Sequence, residues 1–90
     1  MRIDDGYCYR RNEQIIRKDL YDCPALIDPY RMTLVKLNPT AESVWQLFDG
    51  EHSVAGILDI LKNEFEVDAK ALEKDLRTFL NDLIRREMIR

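Results

Sequence analysis

At Asn38-Pro39 the chain changes the period at which it places its apolar residues, and this switch limits its possible folds more than any other feature. Upstream lie three short runs rich in Ile, Leu, Val, Thr and Tyr: residues 14–21, 24–29 and 32–38. They are punctuated by Asp22-Cys23-Pro24 and by Asp28-Pro29-Tyr30-Arg31. Short β-favouring runs separated by Pro and Asp turns predict strands in a small antiparallel meander.

Downstream the apolar residues recur at three- and four-residue steps, the period of a helix. Asn38 is a good N-cap, and Pro39 suits the first helical position because its missing N–H has no partner there in any case. Ala41, Val44, Trp45 and Phe48 form the stripe of this first helix, Leu47 widens it, and Asp49-Gly50 is the expected stop. Ser53 then caps a second helix carrying Val54, Ile57, Leu58, Leu61 and Phe65 on one face. Gly56 near its start costs about 1 kcal/mol relative to Ala in an exposed helix, which predicts close packing at that point. Asp68 caps a third helix over residues 69–88, with a stripe of Leu72, Leu76, Phe79 and Leu83. Leu80 and Ile84 spill over onto one flank, which a helix buried on one side does not require.

Strands gathered at one end and helices at the other predict an α+β domain: an N-terminal three-stranded antiparallel β-sheet followed by a three-helix bundle. Ninety residues suffice for one such domain, placed here at 14–90. Residues 1–13 show neither period and carry mixed charges, so they are expected to form a loosely ordered N-terminal segment.

Composition removes several function classes. No run approaches the ~20 apolar residues of a membrane span, and the first residues lack the apolar stretch of a signal peptide, so a cytoplasmic protein without a membrane partner is expected. The net charge of −3, from 14 Lys and Arg against 17 Asp and Glu, gives little pull toward nucleic acid. Cys8, Cys23 and the single histidine, His52, supply three candidate ligands in unrelated segments where a structural zinc site needs four, so no metal site is expected. The two cysteines read as ordinary free thiols. His52 stands in a turn without a nucleophile near it in sequence, and the carboxylates are scattered over helix surfaces. No catalytic residue and no cofactor follow from such a pattern.

Two features point to binding. In a three-stranded meander each outer strand keeps an open edge, which is either blunted or offered to another chain's strand. The third strand holds Lys36 as its only obvious blunting charge and no proline. The last helix carries Arg77, Arg85, Arg86 and Arg90 interleaved with Glu73, Asp75, Asp82 and Glu87. That pattern reads as a solvated face matched to the helix dipole or as a binding helix.

The stretch from Leu37 to Leu61 resembles the PqqD family, the pyrroloquinoline-quinone biosynthesis protein D type, whose helical half reads L-N-x-T-A-x-x-I-W-x-L-x-D-G-x-x-T-V-x-x-I. The match falls on Leu37, Asn38, Thr40, Ala41, Trp45, Leu47, Asp49, Gly50, Val54 and Ile57, and continues at Asp75-Leu76 and Phe79-Leu80-x-x-Leu83. Ser53 stands where the family often has Thr, Gly56 replaces an acidic residue, and Leu76 replaces Val. The resemblance implies a winged-helix-like recognition element that binds the leader of a ribosomally made precursor peptide and presents it to a modifying enzyme, often a radical S-adenosylmethionine protein. The leader would dock between the third strand and the third helix. Backbone groups of Thr33, Leu34, Val35 and Lys36 would then pair with it, Leu80 and Ile84 would receive apolar side chains, and Arg77, Asn81 and Arg85 polar ones. Asp75, Thr78 and Asp82 would take over if the groove lies on the other flank. Two rivals remain at this stage: a winged-helix nucleic-acid binder acting through Arg77, Arg85 and Arg86, and an activating subunit with little affinity for peptide. A homodimer formed by strand exchange about Asp28-Pro29 is also compatible with the sequence.

Overall fold

Tyr21 and Asp22 both adopt left-handed backbone, with φ of 49° and 69°, and form the two-residue turn that closes the first hairpin. It joins β1 (Ile16–Leu20) to β2 (Cys23–Asp28). Cys23, expected only in the turn, begins the second strand, and Pro24, the start of the expected run, follows it there. Pro24 is tolerated in a central strand because it sits at the ladder's end, where its carbonyl accepts from Leu37 N–H at 2.8 Å. The second connection is held by the buried carboxylate of Asp28, which accepts the backbone N–H of Tyr30 and of Arg31 at 3.0 and 3.1 Å. It leads through Met32, at φ 56°, into β3 (Thr33–Lys36). The sheet is antiparallel in the order β1-β2-β3, so β3 is an edge. These elements come from a computed structural model that describes residues 5–65 and 68–90.

The helices begin where the sequence places them. Asn38 Oδ1 accepts from Ala41 N–H at 2.7 Å and starts α1 (Pro39–Gln46). Ser53 Oγ accepts from Gly56 N–H at 3.1 Å and starts α2 (Val54–Glu64). Asp68 Oδ1 accepts from Lys70 N–H at 3.1 Å and starts α3 (Ala69–Arg85).

The helix ends differ from expectation. α1 stops at Gln46, short of Gly50, and Arg11 closes it by donating to the carbonyls of Trp45 and Gln46 at 3.4 and 3.0 Å. Gly50 serves the following turn instead, at φ 82°, where a Cβ would meet Arg10 Nε at 2.5 Å. Gly56 is at a close approach, but to its own helix cap: a Cβ there would stand 3.3 Å from Ser53 Oγ, the atom that accepts the Gly56 N–H. α3 ends at Arg85, and a left-handed Glu87 turns Met88 and Ile89 back into the core, where both are buried.

Residues 5–13, expected to be loose, are laid across the helices. Arg10 and Arg90 exchange backbone hydrogen bonds at 2.8 Å, Arg11 N–H donates to Phe48 carbonyl, and Asn12 N–H to Met88 carbonyl. The carbonyls of Tyr7 and Asp5 accept from Val54 and Ala55 N–H at the start of α2. This strap satisfies helix-terminal donors that have no intrahelical partner. Residues 1–4 of the expected leader lie outside the described residues.

The core is formed by Leu26, Leu37, Val44, Trp45, Phe48, Ile57, Leu61, Leu72, Leu76, Leu80 and Leu83, joined by Met88 and Ile89. Trp45 and Phe48 meet edge to face with ring centroids 6.2 Å apart. No helix among the described residues is long and apolar enough to cross a membrane.

Candidate functional site

The pairing of β3 with β2 fixes which of its backbone groups remain open. In an antiparallel ladder, residue pairs alternate between those that exchange hydrogen bonds and those that do not. Leu37 N–H points to Pro24, and the register continues Ala25↔Lys36, Leu26↔Val35, Ile27↔Leu34 and Asp28↔Thr33. Val35 and Thr33 are therefore in phase with Leu37 and turn their backbone groups to β2. Leu34 and Lys36 turn theirs to the open edge. Of the four backbone positions expected to bind, two are free for an added strand and two are already paired. The Thr33 hydroxyl is itself buried with no hydrogen-bond partner among the described residues.

A cavity of about 1170 Å³ runs along this edge between β3 and α3. Val35 and Lys36 line it from the strand, and Ala41 and Val44 from α1. α3 contributes Leu72, Asp75, Leu76, Thr78, Phe79 and Asp82, with Asn81, Ile84 and Arg85 beyond them. Arg31, in the turn before β3, donates to the carbonyl of Arg86 and pairs with Glu87 just past the end of α3, which links the two walls there.

Leu80, expected to receive an apolar ligand side chain, is fully buried in the core and does not line the cavity. The buried stripe of α3 is Leu72, Leu76, Leu80 and Leu83, with Phe79 only partly buried at its border. The stripe keeps three of the four residues of the sequence reading, and only Phe79 and Leu80 exchange places. Arg77 is also absent from the cavity lining. The face carrying Asp75, Thr78 and Asp82, named as the alternative flank, does line it. Asn81, Ile84 and Arg85 also line it. Phe79, Ala41 and Val44 were not among the expected site residues; the sequence placed Phe79 within the buried stripe, with Leu80 and Ile84 as the flank beside it.

Of the four charged residues lining the groove, Asp82 and Arg85 are paired, while Lys36 and Asp75 have no ion-pair partner among the described residues. Asp82 Oδ1 accepts from Arg85 Nη2 at 2.7 Å and Arg86 Nε at 3.0 Å. Burial pushes the Asp82 carboxyl up, but these two hydrogen bonds outweigh it and leave its pKa below the ordinary value. The three arginines of a nucleic-acid reading are thereby engaged: Arg85 and Arg86 by Asp82, Arg77 by Glu73 and Asp5.

Outside the groove, His52 Nδ1 lies 2.8 Å from Asp49 Oδ2 in the turn after α1. The Asp49 carboxyl is held well below the usual carboxylate range, chiefly by the backbone N–H of Glu51 and then by His52. Among the described residues, no group of three or more His, Cys, Asp or Glu side chains could hold a metal ion. Cys8 and Cys23 are free.

The same fold of sheet and helices occurs in known proteins. Two solved structures superpose closely: TbiB1 in complex with the TbiA(beta) leader peptide, and lasso peptide synthetase B1 complexed with the leader peptide. The first gives a TM-score of 0.73 over 89% of this chain and 93% of that one, the second 0.76 over 92% and 98%, each at 24% identity. They establish the fold.

Sequence relatives are nearer. A PqqA binding protein of Rahnella aquatilis is 32% identical over 79% of this chain and 72% of its own length. One from Pseudomonas paraeruginosa is 32% identical over 87% and 82%. A third, from Methylococcus capsulatus, is 33% identical over 68% of this chain, and the match spans 63% of that protein. Residues 25–89, from the second strand through the buried Ile89, match the family model described as coenzyme PQQ synthesis protein D (PqqD). The chain is a member of the PqqD family.

Proposed function

We propose that this chain is a non-catalytic adaptor that binds the leader of a ribosomally synthesised precursor peptide by β-strand addition and presents it to a modifying enzyme, of the radical S-adenosylmethionine type or another. The observation that carries this reading is the open edge of β3, with Leu34 and Lys36 facing outward beside a groove walled by α3. An added strand gains backbone hydrogen bonds from the edge with little dependence on its sequence. Alternate side chains of that strand face the helix. There Phe79, Val35 and Ile84 offer apolar contact, while Asp75, Asn81 and Arg85 offer polar contact. The relatives named for binding PqqA and the neighbours solved with leader peptides support the same reading.

Titrating the isotopically labelled protein with a synthetic leader of its precursor peptide tests it. The amides of Leu34 and Lys36 are expected to shift most, together with the ring signals of Phe79. Saturating peptide without perturbation at residues 33–37 overturns the proposal.

A further inference from the structure

The second face of the sheet, turned away from the helices, carries apolar side chains that the groove does not use. Among the described residues six large hydrophobic side chains are exposed, and five of them belong to the sheet or its turns: Ile16, Tyr21, Tyr30, Met32 and Leu34. The register places Ile16 opposite Ile27 and Ile27 opposite Leu34, so these three form one apolar row across all three strands. Ile16 and Leu34, at its ends, are 49% and 46% exposed. The neighbouring row on the same face is Lys18, Ala25 and Lys36. Both lysines are exposed, and neither ammonium has an ion-pair partner among the described residues.

We infer that this face is the docking surface for the enzyme that acts on the bound peptide, and that the enzyme meets it with an apolar patch rimmed by carboxylates. The inference rests on the peptide-binding reading. Charge selects the occupant. The outward positions of the three strands carry Lys18 and Lys36 and no Asp or Glu. A second copy stacked face to face would bring four ammonium groups together without an anion, and like charges so placed are unfavourable. A partner with acidic residues at its rim neutralises them while burying the Ile16–Ile27–Leu34 row.

The position adds a second argument. A strand added to β3 continues the sheet, so every other side chain of the peptide stands on this same face, next to Leu34. An enzyme seated there touches carrier and peptide as one surface, and loaded protein is distinguished from empty.

The test measures affinity of the purified modifying enzyme for the wild-type chain, Ile16→Glu and Lys18→Glu, with and without synthetic leader. Both substitutions lie on β1, two strands from the groove. Leader affinity is expected to stay within about twofold of wild type in both, which also reports that they fold. Enzyme affinity is expected to fall at least tenfold for Ile16→Glu and several-fold for Lys18→Glu, and to be higher with leader present. Enzyme affinity unchanged in both variants, or no binding to the wild type, overturns the inference. So does self-association in sedimentation that Ile16→Glu abolishes, since the face then belongs to a second copy. Failure of the wild type to bind leader overturns the peptide reading instead, and is read in a separate titration.

Discussion

Arg77 Nη2 donates to both carboxylate oxygens of Asp5, at 2.9 and 3.0 Å, tying the middle of α3 to the strap that crosses the start of α2. Hydrogen bonds with Glu73 and Asp5 raise the pKa of this guanidinium further above its ordinary value. The side chain that looks most available for a ligand in the sequence is thus spent on the fold, on the side of α3 away from the groove. Arg77→Ala is expected to leave leader affinity within about twofold, because exposed ion pairs are weak and no groove contact is lost. Isothermal titration against the synthetic leader checks this; a tenfold loss would return Arg77 to the binding surface.

Leu80 gives the opposite expectation. It is fully buried among core side chains, so Leu80→Ala removes a packed side chain and leaves a cavity. Equilibrium unfolding in urea should show a loss of about 2–5 kcal/mol, with leader affinity little changed at temperatures where the variant remains folded. A Leu80→Ala variant of wild-type stability that failed to bind leader would place Leu80 in the groove.

The first hairpin turn stores backbone strain. Tyr21 and Asp22 occupy left-handed conformations, and Tyr21 is fully exposed, with no packing to offset that. A turn of this type favours Asn-Gly. Replacing both residues, Tyr21→Asn with Asp22→Gly, is expected to raise stability by about 1 kcal/mol, read as a higher urea midpoint with an unchanged slope.

Acid should weaken the fold through Asp49 and Asp82. Both carboxyls are held below their ordinary value of 3.8 in the folded protein. A group whose pKa is depressed on folding stabilises above its unfolded value, and that contribution fades as pH falls through the folded one. The urea midpoint is therefore expected to be flat near neutrality and to decline below about pH 4. Asp49→Asn should lower the midpoint at neutral pH and make that decline shallower. An identical acid limb in the variant would remove Asp49 from the linkage.

The parts of the fold that were legible in the sequence are those written in local chemistry. Asn38, Ser53 and Asp68 each bond a backbone N–H two or three residues on, so the side chain and its acceptor role lie in one short window. The strap was not legible because Arg10 and Arg90 meet through backbone atoms across nearly the whole chain, and such a bond leaves no mark on residue type. The groove was half legible. Its strand follows from topology, but the helix flank depended on whether Phe79 or Leu80 lies at the edge of the buried stripe. Two adjacent apolar residues satisfy helical periodicity equally well, and only packing against the other elements separates them. Likewise, Leu34 and Lys36 could be told from Thr33 and Val35 only once the register with β2 was known.

That register also divides the work of recognition between two structures of different kinds. Two outward residues on β3 give an added strand at most four backbone hydrogen-bonding groups, the same four for any sequence. Under the proposed function, discrimination then falls to the side chains that line the groove, most of them on one face of α3. Substitutions along Asp75, Thr78, Phe79 and Asp82 are expected to re-address the domain to a different peptide while the strand edge stays as it is, much as a lock is rekeyed without changing the bolt.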